Sequence, residues 1–236
     1  MIIFPAIDII DGEAVRLYKG DYNQKTVYGT PYDISLEFKA KGASHVHIVD
    51  LDGAKTGGTP NIETIKRIAA DCKMFVEVGG GIRSLGVIEK YLHAGVSRAI
   101  LGTAAIKNEE LVRLGVREFG EGIAVGADIL DGKIRINGWL EAADISADEF
   151  FKRMGDLGVT NIICTDISKD GAMVGTNLEL YRELSAKYRM NITASGGVSS
   201  LEDIKALKDM GMYGAIVGKA YYTGAVDLEK AIEVAR

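Results

Sequence analysis

Cysteine, histidine and excess positive charge are scarce in this sequence, and each shortage excludes a class of protein. The two cysteines, Cys72 and Cys164, lie far apart with no CxxC spacing, which is typical of free thiols in a reducing compartment rather than of a disulfide-stabilised secreted domain. The formal net charge is −5, whereas a nucleic-acid-binding protein usually has a basic face. We therefore expect a cytoplasmic protein without a nucleic-acid partner.

Long hydrophobic runs and ligand clusters are missing as well. The apolar N-terminus is broken by Pro5 and Asp8 and has no basic region, so it predicts a buried strand rather than a signal peptide or a membrane span. His45, His47 and His93 have no spacing with cysteine or carboxylate that suits a metal, and we expect them to be structural. Neither a dinucleotide-binding fingerprint nor a phosphate-loop motif occurs. The sequence thus predicts no metal, no cofactor and no membrane contact.

Short apolar runs alternate with amphipathic stretches along the whole chain. In one such stretch Ile62, Ile65 and Ile68 recur at helical steps. This alternation predicts parallel strands joined by crossover helices. Eight strands in a chain of this length suit a closed (βα)8 TIM barrel, with a doubly wound open sheet as the alternative. The strands are predicted at residues 2–8, 45–51, 75–79, 98–102, 123–128, 161–166, 191–195 and 215–218.

The second half of the chain repeats motifs of the first. Four matches occur in the same order, at offsets that drift by only a few residues. They pair residues 8–12 with 128–132, 52–53 with 170–171, 80–82 with 196–198, and Gly102 with Gly218. No linker or composition shift separates the halves. We therefore predict one domain over residues 1–236, built from two similar (βα)4 halves at about 1–120 and 121–236.

Two aspartates are the strongest catalytic candidates. Asp8 ends the first predicted strand and Asp128 the fifth, and in such a barrel the strand ends and the loops that follow them form the active site. A single aspartate there often only caps a turn. Two carboxylates related by the repeat, facing each other across the barrel mouth, are instead suited to general acid and general base catalysis.

Glycine-rich turns follow four of the predicted strands. Backbone N–H groups in such turns can approach a phosphate closely, although glycines also serve in ordinary tight turns. One set in each half predicts a substrate with a phosphate at each end. The residues are Gly79, Gly80, Gly81, Gly102 and Thr103 in the first half, and Gly196, Gly197, Gly218 and Lys219 in the second.

Five further residues are weaker candidates. Thr165 and Asp170 flank the end of the sixth strand, where they could orient Asp128 or bind substrate hydroxyls. Trp139, the only tryptophan, lies in a loop-like stretch after the fifth strand and could stack on a planar ring of the substrate. Arg16 and Lys19, in the first βα loop, could contact a phosphate.

Taken together, these motifs resemble the ProFAR isomerase family, the phosphoribosylformimino-aminoimidazole carboxamide ribotide isomerases of histidine biosynthesis. The segments that match include FPAIDIIDGEAVRLYKGDY, VDLDGA, VEVGGGIR, ILGTAA, TDISKDGA, ASGGVSS and IVGKA, in order over nearly the whole chain. The resemblance implies a (βα)8 barrel of two similar halves. It also implies an Amadori rearrangement of the aminoaldose ProFAR to the aminoketose PRFAR. The implied substrate, ProFAR, has a phosphate at each end.

By position, the resemblance makes Asp8 the base and Asp128 the acid, with Thr165 and Asp170 assisting, and it requires no cofactor. A related cyclase usually has a Cys-Leu-Asp strand with a lysine eight positions later. Here that strand ends Ala-Ile-Asp, and Arg16 stands in the lysine's place. A dual-specificity isomerase that also uses phosphoribosylanthranilate remains open, and a non-catalytic metabolite-binding barrel is a third alternative. We expect a monomer that binds a small bis-phosphorylated substrate.

Overall fold

The computed structural model describes residues 1–18 and 21–236, so Lys19 lies outside the described residues. The strands are β1 Ile2–Ile10, β2 Glu13–Tyr18, β3 Asp21–Gly29, β4 His45–Asp50, β5 Phe75–Gly79, β6 Arg98–Leu101, β7 Ile123–Leu130, β8 Lys133–Ile136, β9 Glu141–Ser146, β10 Asn161–Asp166, β11 Asn191–Ser195 and β12 Gly214–Val217.

Eight of these strands close into a parallel barrel. Their order around the barrel is β1, β4, β5, β6, β7, β10, β11 and β12, and β12 pairs with β1 to complete the ring. All eight coincide with predicted strands, and the predicted (βα)8 barrel is confirmed. The prediction ended β1 at Asp8 and β7 at Asp128 too early, because both strands continue for two more residues into hairpins.

Helices cover the outside of the barrel. Ile65 and Ile68 of the predicted amphipathic stretch are fully buried against it, which confirms that stretch as a helix. The helices are α1 Pro31–Ala40, α2 Leu51–Thr56, α3 Ile62–Cys72, α4 Leu85–His93, α5 Thr103–Lys107, α6 Glu109–Phe119, α7 Ala147–Asp156, α8 Leu178–Lys187, α9 Leu201–Asp209, α10 Lys219–Tyr222 and α11 Leu228–Ala235, with a 3-10 turn at Gly120–Gly122. Within the described part of the chain, none of them has the length and hydropathy needed to cross a membrane.

Each half adds one antiparallel hairpin that the sequence analysis did not predict. The first hairpin is β2 with β3, after β1, and the second is β8 with β9, after β7. The turns into them are Asp11-Gly12, with φ of 54° and 76°, and Asp131-Gly132, with φ of 53° and 73°. Two consecutive positive φ values are the geometry for which Asp-Gly is favoured. Arg16 therefore lies on a strand and not in a loop, and the loop-like stretch that contains Trp139 runs into β9.

The inside of the barrel has its own apolar cluster, formed by Phe4, Ala6, Ile100, Ala124, Ile163 and Ile216. Side chains alternate along a strand, so Asp8 points to the same side as Phe4 and Ala6, and Asp128 to the same side as Ala124. The two carboxylates thus project inward above this cluster. Both cysteines, Cys72 and Cys164, are buried and are free thiols, as predicted.

Candidate active site

The first hairpin brings a cation onto Asp8. β1 and β2 pair so that Asp8 lies opposite Val15, which places the next residue, Arg16, beside the carboxylate. The Nη1 atom of Arg16 lies 2.9 Å from Oδ2 of Asp8, with side chains only 14% and 16% exposed. Burial lowers the pKa of the Arg16 guanidinium, but the combined electrostatic effect of its neighbours, Asp8 first and Asp170 next, raises it overall. The result is a mostly buried ion pair at the mouth of the barrel.

The second hairpin brings a neutral donor onto Asp128. Trp139 lies in the turn between β8 and β9, with φ of 72°, and its indole Nε1 donates to Oδ2 of Asp128 at 2.9 Å. Thr165 lies opposite Asp128 in the β7–β10 pair and also hydrogen-bonds to it. Burial raises the pKa of Asp128, and these two hydrogen bonds only partly lower it again. Asp128 therefore has a raised affinity for a proton.

Asp170 joins the two aspartates from the loop after β10. Burial raises its pKa, attraction to Arg16 lowers it, and repulsion from both Asp8 and Asp128 raises it further. Asp170 is thus close enough to both Asp8 and Asp128 to be affected by their charges. Next to them, Nζ of Lys219 donates to the carbonyl oxygen of Gly171 at 2.8 Å. The structure brings Asp8, Asp128, Thr165, Asp170 and Arg16 together at one mouth.

Asp52, which matched Asp170 in the repeat, has a different place. Its Oδ2 accepts hydrogen bonds from the backbone N–H of Asp11 at 2.8 Å and from Nδ2 of Asn61 at 2.9 Å. Asp52 therefore holds the turn of the first hairpin, whereas Asp170 faces the other carboxylates. Similarity at these two positions does not produce equivalent sites.

The paired glycines are explained by packing between neighbouring loops. A Cβ on Gly80, at φ of 109°, would lie within 3.0 Å of the carbonyl oxygen of Asp50, and one on Gly196, at φ of 88°, would meet Asp166 in the same way. The second glycine of each pair, Gly81 and Gly197, is equally tight against backbone. Gly79, at the end of β5, would make only an ordinary contact. Packing alone thus accounts for glycine in both pairs, whether or not a phosphate binds there.

The turns after β6 and β12 differ from these pairs. Gly102 and Gly218 precede the short helices α5 and α10, and neither helix has a side-chain cap. Nothing lies within 4 Å of a Cβ placed on Gly102, whereas the Arg16 guanidinium would be 2.6 Å from one on Gly218. Thr103 Oγ1 accepts the backbone N–H of Asn137 at 2.9 Å. The turn after β6 is therefore hydrogen-bonded to the hairpin formed by β8 and β9, whereas the turn after β12 packs against Arg16.

A tyrosine that was not predicted from the sequence also lies at the mouth. Tyr22 on β3 donates to the carbonyl oxygen of Leu51 at 3.3 Å. Burial and the nearby carboxylates of Asp52, Asp8 and Asp50 raise its pKa. It is the last residue of the family-like segment at residues 4–22, but nothing in that segment indicates a place at the mouth, because only the unpredicted hairpin brings it over the barrel.

Buried charge inside the barrel was missed too. His47, which we expected to be structural, hydrogen-bonds through Nδ1 to Oε1 of the fully buried Glu77 at 2.8 Å. Charged residues at alternating positions of apolar strands are a signal that could have found this pair. Within residues 1–18 and 21–236, no three His, Cys, Asp or Glu side chains are placed so that they could hold a metal ion.

Comparisons with known proteins agree with this architecture. The chain is similar to proteins of Ruminiclostridium cellulolyticum (50% identical over 233 residues, 98% of this chain and 99% of the relative) and Clostridium beijerinckii (48% over 237 residues, 100% and 99%). A relative from Clostridium kluyveri is 48% identical over 235 residues, with 99% of both chains covered. All three are named 1-(5-phosphoribosyl)-5-((5-phosphoribosylamino)methylideneamino) imidazole-4-carboxamide isomerase.

A family model points the same way. The model described as "Histidine biosynthesis protein" matches residues 2–227, which include every barrel strand and both hairpins. With relatives near 50% identity over almost the full length, the assignment does not rest on isolated motifs. This chain belongs to the histidine biosynthesis protein family.

Proposed function

We propose that this protein isomerises ProFAR to PRFAR, an Amadori rearrangement in histidine biosynthesis. The observation that carries the proposal is the unequal pairing of two carboxylates at one barrel mouth. Asp8 is paired with the guanidinium of Arg16, whereas Asp128 is held by the neutral donors Trp139 and Thr165. An aldose–ketose isomerisation needs one group that accepts a proton and one that donates it.

In the proposed reaction, Asp128 is the general acid. It protonates the ribose ring oxygen, the bond from that oxygen to C1 breaks, and the substrate nitrogen supplies the electron pair of the resulting Schiff base. The raised pKa of Asp128 supports this role, because an acid that retains its proton closer to neutral pH is better matched to donating it.

Asp8 is the proposed general base. It removes the C2 proton, and the electrons of that bond flow toward the Schiff base nitrogen to give an enolamine. The proton then returns at C1, and the C2 hydroxyl loses its proton to give the ketone, which restores the protonated acid. The Arg16 guanidinium stabilises the carboxylate form of Asp8 that this step needs. Thr165 positions Asp128, and Asp170 assists by binding substrate hydroxyls. Proton transfer and the substrate's own nitrogen handle the developing charge, so the scheme needs no metal or cofactor.

The two ends of the substrate are proposed to bind at the glycine-rich turns of the two halves. Backbone N–H groups suit phosphate oxygens where no side chain covers them. In the proposed complex, Arg16, whose guanidinium lies against Gly218, supplies positive charge in the second half, and the Trp139 indole stacks on the imidazole of the substrate. The proposed sets are Gly79, Gly80, Gly81, Gly102 and Thr103 for one phosphate, and Gly196, Gly197, Gly218 and Lys219 for the other.

The test is turnover of metal-free protein on ProFAR and, in parallel, on phosphoribosylanthranilate. Activity on ProFAR alone is the expected result. Activity on both substrates would make the enzyme bifunctional. A folded protein with no activity on either would overturn the proposal, and PRFAR with ammonia would then test the cyclase reaction.

A further inference from the structure

Three charged or titratable side chains form a connected group inside the barrel. His47 lies on β4, Glu77 on β5 and Arg98 on β6, and the residues pair in register across these strands. Glu77 accepts from Nδ1 of His47 at 2.8 Å through Oε1, and its Oε2 lies 3.4 Å from Nη1 of Arg98. The Glu77 side chain is fully buried, and that of Arg98 is 4% exposed.

This group occupies the wall between the two proposed catalytic aspartates. The strand order β1, β4, β5, β6, β7 places His47, Glu77 and Arg98 on the three strands that separate Asp8 from Asp128. His47 lies opposite Ala6 of β1, and Ala6 lines the barrel interior. The group is therefore internal and lies below the mouth.

The opposite wall has no such group. The matches of Gly80 with Gly196 and of Gly102 with Gly218 set the local offset between the halves at 116 residues. At this offset, the positions equivalent to the three residues are occupied by Ile163, Thr193 and Gly214. One half of a repeated barrel thus has three buried polar groups where the other half has none that is charged.

Stability alone gives a poor reason for this group. TIM barrel interiors are filled mainly by branched apolar side chains, and a buried ion pair is often no more stable than apolar residues of similar volume. Arg98 is nevertheless held firmly, because its Nε donates to the carbonyl oxygen of Glu121 at 3.1 Å and its guanidinium lies 4.9 Å from the centre of the Phe75 ring. Arg98 therefore fixes Glu77 from the side away from His47.

His47 connects the group to Asp128. Because Nδ1 of His47 is engaged by Glu77, Nε2 lies on the opposite side of the ring. Electrostatic attraction to His47 lowers the pKa of Asp128, against the larger effect of burial. Asp128 in turn raises the pKa of Asp170, in the loop after β10, and that of Cys164, on β10. His47 is the titratable group that shifts the pKa of Asp128 toward the carboxylate form.

We propose that Glu77 is a positioning residue for the isomerisation, which orients His47 beneath the mouth, on the wall between Asp8 and Asp128. Arg98 anchors Glu77, and none of the three needs to touch the substrate. The idea rests on the proposed function, since Asp128 is the general acid there. It adds a reason why the two halves of the barrel interior differ.

The test is Glu77→Gln, which keeps the shape and one acceptor oxygen but removes the charge. We expect kcat to fall about tenfold with KM changed less than about twofold, since the acid is altered and the substrate contacts are not. The alkaline limb of the pH profile of kcat should move to higher pH, because the carboxylate of Asp128 loses stabilisation by His47. The imidazole nitrogen resonances of His47, one of only three histidines, should change as well.

Thr193→Val is the matched control, since it changes the equivalent position of the opposite wall without altering charge. It should leave the alkaline limb of the pH profile of kcat in place. If Glu77→Gln fails to fold, Arg98→Lys keeps the charge but weakens the anchor, and it should produce a smaller shift in the same direction. A folded Glu77→Gln variant that keeps the wild-type alkaline limb of kcat and the wild-type His47 resonances would overturn the inference. Wild-type turnover of ProFAR decides the proposed function separately, and the His47 resonances do not depend on activity.

Discussion

In both halves of the barrel a hairpin supplies a hydrogen-bonding partner to the aspartate, but the partner is charged in one half and neutral in the other. In each half an Asp-Gly turn leads from the strand that bears the aspartate into a hairpin, and the hairpin returns a side chain to the aspartate of its own half. The first half returns the guanidinium of Arg16 at 2.9 Å, and the second returns the indole N–H of Trp139, also at 2.9 Å. The repeat thus fixes the positions of the two carboxylates, and the hairpins make them different.

This difference shows where a symmetric fold can acquire two roles. Asp8 and Asp128 occupy equivalent positions on equivalent strands, so the strands cannot distinguish an acid from a base. A cationic partner stabilises a carboxylate, whereas a neutral donor in a buried setting leaves the carboxyl group with a raised pKa. Substitutions in the hairpins should therefore shift the roles without disturbing the barrel.

The largest effect is expected from removing either proton-transfer group. Asp8→Asn and Asp128→Asn should each lower kcat about 10³-fold while product binding survives, because shape and hydrogen-bonding capacity are nearly kept and proton transfer is lost. Steady-state kinetics and calorimetric binding of PRFAR measure the two quantities. Near-normal turnover in Asp8→Asn would mean that the base lies elsewhere.

A second, structural prediction compares the glycine pairs of the halves. Gly80→Ala and Gly196→Ala should each lower the free energy of unfolding by about 3 kcal/mol, since the new Cβ meets backbone and the φ is positive. Gly12→Ala is the control, with positive φ but no atom within 4 Å, and should cost only about 1 kcal/mol. Denaturant titration measures all three. Equal losses would show that backbone strain, not loop packing, requires glycine.

The hairpin donors provide the third prediction. Trp139→Phe removes the hydrogen bond that lowers the pKa of Asp128, so its pKa rises further, the alkaline limb of kcat moves to higher pH, and kcat falls about tenfold. Arg16→Met should reduce kcat/KM about tenfold or more but leave that limb in place, because Arg16 acts on Asp8. If both variants move the alkaline limb of kcat, the two hairpins do not act on different aspartates.

The smallest effect concerns stability. Because the folded-state pKa of Asp128 is raised, its stabilising contribution is complete below the ordinary carboxyl pKa and is lost as pH rises through the raised value. Asp128→Asn should therefore raise Tm by about 2–4 °C at neutral pH and lose this advantage in acid. Asp8→Asn should lower Tm, because it leaves Arg16 without its counter-charge. Thermal unfolding at several pH values distinguishes the two.

The barrel strands were predictable because they are continuous apolar runs, and the repeat revealed their number. The hairpins were missed although their signal was present. Asp11-Gly12 and Asp131-Gly132 were treated only as repeated motifs, while Asp-Gly between apolar residues is also the strongest short-range signal for a tight hairpin turn. That omission placed Arg16 in a loop and hid the connection between each hairpin and its aspartate.

The identity of the mouth residues followed from the sequence, whereas their partners did not. Asp8 and Asp128 stand out as charged residues near the ends of apolar strands. The indole hydrogen bond to Asp128, the ion pair of Arg16 and the contact between His47 and Glu77 depend on side-chain directions that only the closed barrel determines. Asp52 and Asp170 illustrate the limit, since matching sequence placed them in unlike environments.

The hydrogen bond from Trp139 to Asp128 also means that intrinsic tryptophan fluorescence can report on the barrel mouth. The chain has a single tryptophan, and its indole lies at the barrel mouth with its N–H on the proposed acid. Indole fluorescence from this chain therefore arises at one position and needs no introduced label. Stopped-flow mixing can follow the arrival of substrate, and any withdrawal of the indole from Asp128, in the unmodified enzyme.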